Sequence, residues 1–175
     1  TLMELALERG KRKFVFVGYD GQQWSSFQER EQAFWRRCEE LRVPGRVVKV
    51  PWSDEAAHFL HGHSRDVLRI LINERALDVL REHRQDWFDS VNDLALICVN
   101  DYVALQVSQV VPRDTPVYGF DGLPEAIEHG IVSYRHAMAY MANAAVDRIC
   151  FQAAADSDWV AQDFLFPGEI VRPAN

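Results

Sequence analysis

Residues 94–105 read LALICVNDYVAL, and the change from apolar to polar residues within this stretch indicates the fold class. The run LALICV is continuously apolar, which is typical of a β-strand buried on both faces of a parallel sheet. Asn100 and Asp101 follow it directly, and the next residues can form a helix from Tyr102 to about Val110. A buried strand that leads through polar residues into a helix is the repeating unit of an α/β domain.

Strand and helix patterns alternate along the rest of the chain. Further strands are predicted in KFVFVGY, RVVKV, TPVYGF, IVSY and FLFPGEIV. Helices are predicted in TLMELALERG, from Ser25 or Ser26 to the Pro44-Gly45 pair, from Ser64 to Arg84, in LPEAIEHG and from Ala137 to Ala155. This alternation predicts an α/β fold with a mostly parallel open sheet and flanking helices.

The helix that follows KFVFVGY carries a candidate functional residue. Ser26 stands three residues before Glu29, which is the spacing of a helix-capping box. Arg30 interrupts an inward-facing apolar stripe at helical spacing, so we expect Arg30 to face inward as well. The other members of the stripe are Phe27, Phe34, Cys38 and Leu41.

The composition excludes several classes of protein. The 175 residues carry a formal net charge of −7, which disfavours binding of nucleic acid by this chain alone. No apolar run approaches the roughly 20 residues of a membrane span. The three cysteines lack metal-like or disulfide-like spacing, which favours a reducing compartment, and Cys98 and Cys150 are predicted to be buried thiols. The chain begins with Thr1 rather than Met, which is compatible with residues in front of it.

Polar residues follow three of the predicted strands: Asp20 after the first, Asn100-Asp101 after LALICV, and Asp121 after PVYGF. Ligands of open parallel sheets bind outside the carboxyl ends of the strands, where helix N-termini also direct their N–H groups. Carboxylates and amides in such a crevice suit a molecule with many hydroxyl groups. The alternative is that these residues only cap helices, and spacing leaves both interpretations open.

Several motifs resemble segments of the lac-repressor/gal-repressor family of transcription regulators, in the order in which that family has them. LALICVNDYVAL is similar to its strand–Asn-Asp–helix segment, and VPRDTPVYGFDG to its Val-Pro-x-Asp strand ending in Gly-Phe-Asp. LALERGKRKFVFVG resembles the entry to its second lobe, SSFQEREQAF its serine-bearing loop and helix, and FPGEIVRPAN its closing strand. The motifs span most of the chain.

The resemblance implies the effector-binding domain of such a regulator, a type I periplasmic-binding-protein-like domain with a cleft between two lobes. The chain would comprise the second lobe, about residues 10–130, and a return segment, residues 131–175. The DNA-binding head and most of the first lobe would lie outside it. The implied protein is a cytoplasmic homodimer that binds a small sugar-like effector and contacts DNA through the absent head. It is not an enzyme, it is not bound to a membrane, and it needs no cofactor.

The resemblance also implies ligand-binding residues. Arg30 stands where the family keeps a sugar-contacting arginine, Asn100 where it keeps an effector-contacting asparagine, and Asp121 where a carboxylate binds a sugar hydroxyl. Each has a structural alternative: an exposed helix arginine for Arg30 and helix caps for the other two. Asp101 is expected to cap the following helix.

Three further positions are implied less directly. Ser26 matches a serine near the cleft, with a helix cap as its alternative. Trp52 follows the strand RVVKV where sugar binders place an aromatic ring, and its alternative is a core residue. His136 lies at the crossover between lobes, where relatives carry Gln or Arg, and its alternative is a surface histidine.

Other patterns in the sequence do not favour a metal site or an enzyme. The histidines in HFLHGHS are more typical of a loop than of a metal site, and no nucleophile elbow or dinucleotide loop is present. The stripe Met138, Met141, Ala142, Ala145 and Ile149 is predicted to lie in a core or in a lobe or subunit interface. The segment YVALQVSQV is about two helical turns shorter than its family counterpart.

The alternative function is that of a secreted solute-binding protein of a sugar transporter. The residues before Thr1 would discriminate between a regulator and such a transport protein.

Overall fold

The computed structural model describes residues 1–20, 25–51, 74–82, 91–154 and 165–174. Its strands are β1 Lys13–Asp20, β2 Gly45–Pro51, β3 Leu94–Cys98, β4 Val117–Phe120, β5 Val132–Arg135 and β6 Glu169–Val171. Its helices are α1 Leu2–Glu8, α2 Ser25–Leu41, α3 Glu74–Glu82, α4 Asp101–Ser108, α5 Pro124–Glu128 and α6 Met138–Ala154. A 3₁₀ turn, Val91–Asp93, precedes β3.

The strands described form one sheet in the order β2-β1-β3-β4-β5-β6. Neighbouring strands from β2 to β5 pair in parallel, and β6 pairs with β5 antiparallel. The chain order reverses between β1 and β3, because β2 lies on one side of β1 and all later strands lie on the other. A ligand crevice is expected at such a reversal, outside the carboxyl ends of the strands. The predicted fold class, a mostly parallel open sheet with flanking helices, is confirmed.

The core follows from strands that are covered on both faces. All five residues of β3 are buried, as are the residues of β1 between its two ends. Helix α2 covers part of the sheet with the buried side chains of Phe27, Phe34 and Cys38. The ring of Phe34 lies 5.5 Å from that of Phe16 in β1, and the ring of Phe27 lies 5.8 Å from that of Tyr19. These contacts fix the face of α2 that carries Arg30.

Helix α4 is short, as the sequence predicts. It ends at Ser108, and the described chain continues without a break through Pro112 to β4. The N–H of Val111 still donates to the carbonyl of Val107 at 3.1 Å, which closes the last turn.

Two expectations are wrong in detail, those for Cys150 and for Ser26. Cys150 is exposed, because α6 turns its apolar side chains away from the described residues. For the same reason the stripe on α6 does not lie in the core of the described residues, since Met138, Met141 and Ile149 are 66%, 42% and 65% exposed. Its other predicted location, a lobe or subunit interface, stays a prediction. Ser26 does not cap α2, because the helix already begins at Ser25.

Other expectations fall on residues outside the described ranges. These include Trp52, the histidines of HFLHGHS and the first half of the helix predicted from Ser64. Across the described ranges, no helix combines the length and apolar character that a membrane span requires. The same ranges hold no group of three side chains able to ligate a metal ion.

Candidate functional site

The guanidinium of Arg30 lies at the centre of a polar cluster at the carboxyl ends of the strands. Its Nη1 donates to the carbonyl of Val99, the residue after β3, at 2.6 Å. Its Nη2 donates to Oδ1 of Asp121, after β4, at 3.3 Å and lies 2.9 Å from Nε2 of His136, after β5. One side chain of α2 therefore connects the ends of three adjacent strands.

Aromatic rings surround this guanidinium. Its central carbon lies 4.8 Å from the ring centroid of Phe120 and 5.8 Å from that of Phe27, which are cation–π distances. Tyr134 packs edge to face against both Phe120 and His136. The cluster thus combines a planar cation with ring faces, and these rings restrict where the guanidinium can move.

The protonation of His136 follows from its partner. A guanidinium can only donate, so Nε2 of His136 must accept and the proton resides on Nδ1. The same Nε2 lies 4.0 Å from Oδ1 of Asp121. The cluster therefore holds one positive charge on Arg30, one negative charge on Asp121 and a neutral imidazole.

Asp121 has an unusual backbone conformation. Its φ angle is 105°, in the left-handed region that non-glycine residues rarely adopt. Such strain persists only where surrounding contacts enforce it, and it is concentrated at functional sites. The Asp121 side chain is 37% exposed, and that of Arg30 is 16% exposed, so the pair stays accessible from solvent.

Asn100 is adjacent to this cluster and also serves as a helix cap. Its Oδ1 accepts from the N–H of Val103 at 2.9 Å, which makes Asn100 the N-cap of α4. Its side chain also bonds to Tyr19 at the end of β1; burial raises the pKa of Tyr19 to about 12, and this hydrogen bond opposes the rise. Asn100 follows Val99, whose carbonyl binds Arg30, so it lies at the strand ends as predicted, but it is only 6% exposed.

The remaining predicted positions are less closely tied to the cluster. Ser26 is exposed in the first turn of α2, four residues before Arg30 and therefore on the same helix face. Trp52 lies outside the described residues. The ligand-binding roles of all six positions stay predictions.

The sequence did not indicate the role of Asp101. Asp101 was expected to cap α4, but Asn100 does so, and the carboxylate of Asp101 instead accepts from Oγ of Ser133 and from the N–H of Leu123. Burial raises the pKa of Asp101 to about 6, and nearby Asp121 adds to the rise, whereas the hydrogen bonds from Ser133, Leu123 and Gly122 oppose it. Gly119 in β4 was the available signal, since glycine within a strand often marks a close approach.

A cavity of about 430 Å³ adjoins the cluster between α1, α2 and the sheet. Its lining is mostly apolar and includes Phe16, Phe34 and Ile97. Arg30, Phe120 and Tyr134 line it as well, so the polar cluster and the cavity share these three residues. The volume falls within the range of small-molecule sites.

Residues 3–156 match a family model described as a periplasmic binding protein-like domain. Among solved structures, the chain resembles a LacI family transcriptional regulator from Arthrobacter sp. FB24 in complex with lactose, at 13% identity and a TM-score of 0.67 over 97% of this chain and 58% of that one. It also resembles the trehalose repressor from Escherichia coli, at 14% identity and a TM-score of 0.66 over 97% of this chain and 59% of that one.

A third structure is a periplasmic binding protein/LacI transcriptional regulator from Alkaliphilus metalliredigens QYMF complexed with D-xylulofuranose. It shares 13% identity and a TM-score of 0.64 over 98% of this chain and 59% of that one. This chain therefore spans somewhat more than half the length of these structures. No curated protein matches the sequence.

These matches confirm the resemblance drawn from the sequence motifs. The family model is that of a periplasmic binding protein-like domain, and LacI family regulators among the solved structures share the fold. The periplasmic-binding-protein-like fold of these regulators is a non-enzymatic, ligand-binding fold. The prediction that the chain is not an enzyme is therefore confirmed at the level of the family.

Proposed function

We propose that this chain, which belongs to the periplasmic binding protein-like domain family, is the ligand-sensing part of a sugar-responsive transcription regulator. It binds a small carbohydrate-like effector in a cleft between two lobes, and effector binding controls DNA binding by the regulator. The observation that carries the proposal is the convergence of Arg30, Asp121 and His136 at the carboxyl ends of adjacent strands.

The chemistry of the cluster suits a hydroxyl-rich ligand. Arg30 supplies donors and Asp121 supplies acceptors, which together match neighbouring hydroxyl groups of a sugar. The ring of Phe120 offers an apolar face of the kind that packs against the C–H face of a sugar ring. Because Arg30 and Asp121 balance in charge and His136 is neutral, the cluster favours a neutral sugar over a sugar acid or phosphate.

The exposed face of α6 supports the proposed division into lobes. Six large apolar residues of this helix are between 42% and 72% exposed: Met138, Tyr140, Met141, Val146, Ile149 and Phe151. So many exposed large apolar side chains on one helix are typical of an interface. In our proposal α6 lies in the return segment, residues 131–175, and packs against a first lobe or a second subunit, whereas residues 10–130 form the second lobe.

The regulator in this proposal is longer than the chain described here. It carries a DNA-binding head and the rest of the first lobe, acts as a homodimer in the cytoplasm, and changes its affinity for DNA when the lobes close on the effector. The lengths of the LacI-type structures support this, since this sequence covers only 58–59% of each of them.

A thermal-shift screen of the whole gene product tests the proposal. The panel is lactose, trehalose, D-xylose and D-xylulose, with sugar acids and phosphates as the charged comparison. A sugar present at 100 times its dissociation constant stabilises the folded state by about 2.7 kcal/mol, which corresponds to a rise in Tm of about 4 °C for a gene product of roughly 300 residues. We expect at least one neutral sugar to produce such a shift, and Arg30→Ala and Asp121→Ala to remove it.

Two results would contradict the proposal. If no sugar of the panel stabilises the protein, the site does not bind carbohydrates of this class. If a sugar stabilises the wild type and both variants equally, it binds elsewhere. A DNA-binding assay with and without the stabilising sugar then separates a regulator from a transport-associated binding protein.

A further inference from the structure

The loop that carries Asp121 is held by three consecutive backbone hydrogen bonds. Each of the three amides between β4 and α5 donates to a different group on the neighbouring elements. These bonds run from Asp121 N–H to the Tyr134 carbonyl at 2.9 Å, from Gly122 N–H to Ser133 Oγ at 3.0 Å, and from Leu123 N–H to Asp101 Oδ2 at 2.7 Å. The loop therefore has little freedom to move relative to β5 and α4.

Asp101 and Ser133 form the buried part of this attachment. The Ser133 hydroxyl donates to the Asp101 carboxylate, with Oγ 2.7 Å from Oδ1 and 2.9 Å from Oδ2, and both residues are fully buried. The same hydroxyl oxygen accepts from Gly122. Asp101 thus holds the loop directly through Leu123 and indirectly through Ser133.

Strand β4 leaves space for this arrangement. Residue 119 is glycine, and a Cβ atom placed there would overlap with Oδ1 of Asp101. Any larger residue at position 119 would displace the carboxylate or the strand. Glycine is therefore needed at position 119 because it leaves room for the buried Asp101 carboxylate, and not only because of the geometry of the strand.

The conformation of Asp121 depends on these anchors. Its φ of 105° and the φ of 71° at Gly122 are consecutive left-handed angles, and a non-glycine residue retains such an angle only when its surroundings enforce it. The turn directs the Asp121 carboxylate towards Arg30. If the anchors were released, the loop could relax to a conformation in which Asp121 no longer meets Arg30.

We propose that Asp101 and Ser133 are positioning residues that hold the Asp121 carboxylate in its ligand-binding orientation. The inference rests on the proposed function in so far as Asp121 contacts the effector. Neither positioning residue touches the ligand. Both act through the backbone of residues 121–123.

The state of charge of Asp101 provides a way to test this. Protonation removes the charge from a carboxylate that accepts all of its present bonds, so these bonds lose their charge assistance and weaken. Burial raises the pKa of Asp101 to about 6, which brings this change into an accessible pH range. The other ionisable groups facing it are Asp121 on the loop, Cys98 at the end of β3 and Tyr102 on its own helix.

NMR spectroscopy of the protein without any sugar makes the test. The Leu123 amide reports on the bond to Asp101, and the Nε–H signal of Arg30 reports on the Asp121 pair. The pH titration is carried out in the His136→Gln background, because glutamine supplies an acceptor but does not titrate. We expect both signals to shift with one common midpoint near pH 6, and both shifts to be lost in Asp101→Asn.

Asp101→Asn removes only the ionisable group at position 101, so the difference between the two proteins isolates Asp101. Asp114→Asn, in the exposed turn before β4, is the matched control and keeps both shifts. Should Asp101→Asn fail to fold, Ser133→Ala provides the second variant; it removes the link to Gly122 and should alter the Arg30 signal at pH 7.5.

The proposal is overturned if the Leu123 amide titrates while the Arg30 signal stays constant, because the buried network then has only a structural role. It is equally overturned if the Arg30 shift near pH 6 survives in Asp101→Asn. Since no sugar is present, this experiment can fail while sugar binding succeeds, and it can succeed even if no tested sugar binds.

Discussion

The Nη2 atom of Arg30 lies 3.3 Å from Oδ1 of Asp121, although 91 residues separate the two in the sequence. The pair joins α2 to the loop after β4. Because Asp121 is more than one third exposed, the pair adds little to the stability of the fold. Its geometry is better explained by a role in binding than by a role in folding.

Arg30→Lys tests whether the planar fork of the guanidinium matters. An ammonium group keeps the charge but cannot hold the Val99 carbonyl and the Asp121 carboxylate in the present geometry while lying over Phe120. We expect the dissociation constant for the most stabilising sugar of the panel to rise about tenfold, which corresponds to about 1.4 kcal/mol. Titration calorimetry measures it, and Arg113→Lys, in an exposed loop, is the control. Equal affinity in both variants would contradict a specific role for Arg30.

Substitutions at Asp121 separate backbone strain from ligand contact. Glycine tolerates a φ of 105°, whereas alanine does not. We expect Asp121→Ala to have a free energy of unfolding at least about 1 kcal/mol lower than Asp121→Gly, although both lose the carboxylate and with it sugar binding. Urea denaturation of the two variants measures the difference. If alanine and glycine are equally stable, the loop does not impose the left-handed conformation.

Stability should depend on pH through Asp101. Its folded pKa of about 6 lies above its ordinary value of 3.8, so folding takes up a proton between these values. The contribution of Asp101 is therefore most favourable at low pH and is lost as pH rises through about 6. We expect the free energy of unfolding of wild type, relative to Asp101→Asn, to fall by about 2–3 kcal/mol between pH 4 and pH 7.5. Parallel pH profiles of the two proteins would show that Asp101 does not titrate in this range.

The exposed face of α6 predicts a change in association. Ile149 and Phe151 are 65% and 64% exposed, and their replacement by serine removes apolar surface without opening a cavity in the described core. For the 175-residue chain we expect weaker binding of a hydrophobic dye and less aggregation. For the whole gene product we expect the same substitutions to lower the free energy of unfolding, because in our proposal this surface of α6 is buried in an interface there. Leu165→Ser is the control, because Leu165 is 97% exposed and lies outside α6. Identical effects in the chain and the gene product would contradict an interface at α6.

Much of the fold could be predicted because local patterns determine it. The apolar run before Asn100 is continuous since β3 is buried on both faces, and the stripe on α2 places Arg30 beside buried residues. The site residues Arg30, Asp121 and His136 came from family motifs, and the structure brings these three together. These three residues meet because of the order of the strands in the sheet, and no single segment of the sequence encodes that order.

The features that sequence reasoning missed depend on contacts between distant segments. Helix-capping rules could not decide between Asn100 and Asp101, because both residue types favour the same position. The role of Asp101 is set by Ser133, which is 32 residues away. The apolar stripe on α6 was compatible with a core or an interface, because a stripe shows that a face is buried but not by which partner.

The central claim is that a sugar binds where Arg30, Asn100 and Asp121 converge at the strand ends. Chemical-shift mapping of the whole gene product, with lactose, trehalose, D-xylose and D-xylulose added in turn, tests it most directly. We expect at least one of these sugars to shift the Arg30 Nε–H, Asn100 amide and Asp121 amide signals together and saturably. The claim is contradicted if all four sugars leave these signals unchanged, or if the signals that move belong to the opposite ends of the strands, around Thr115.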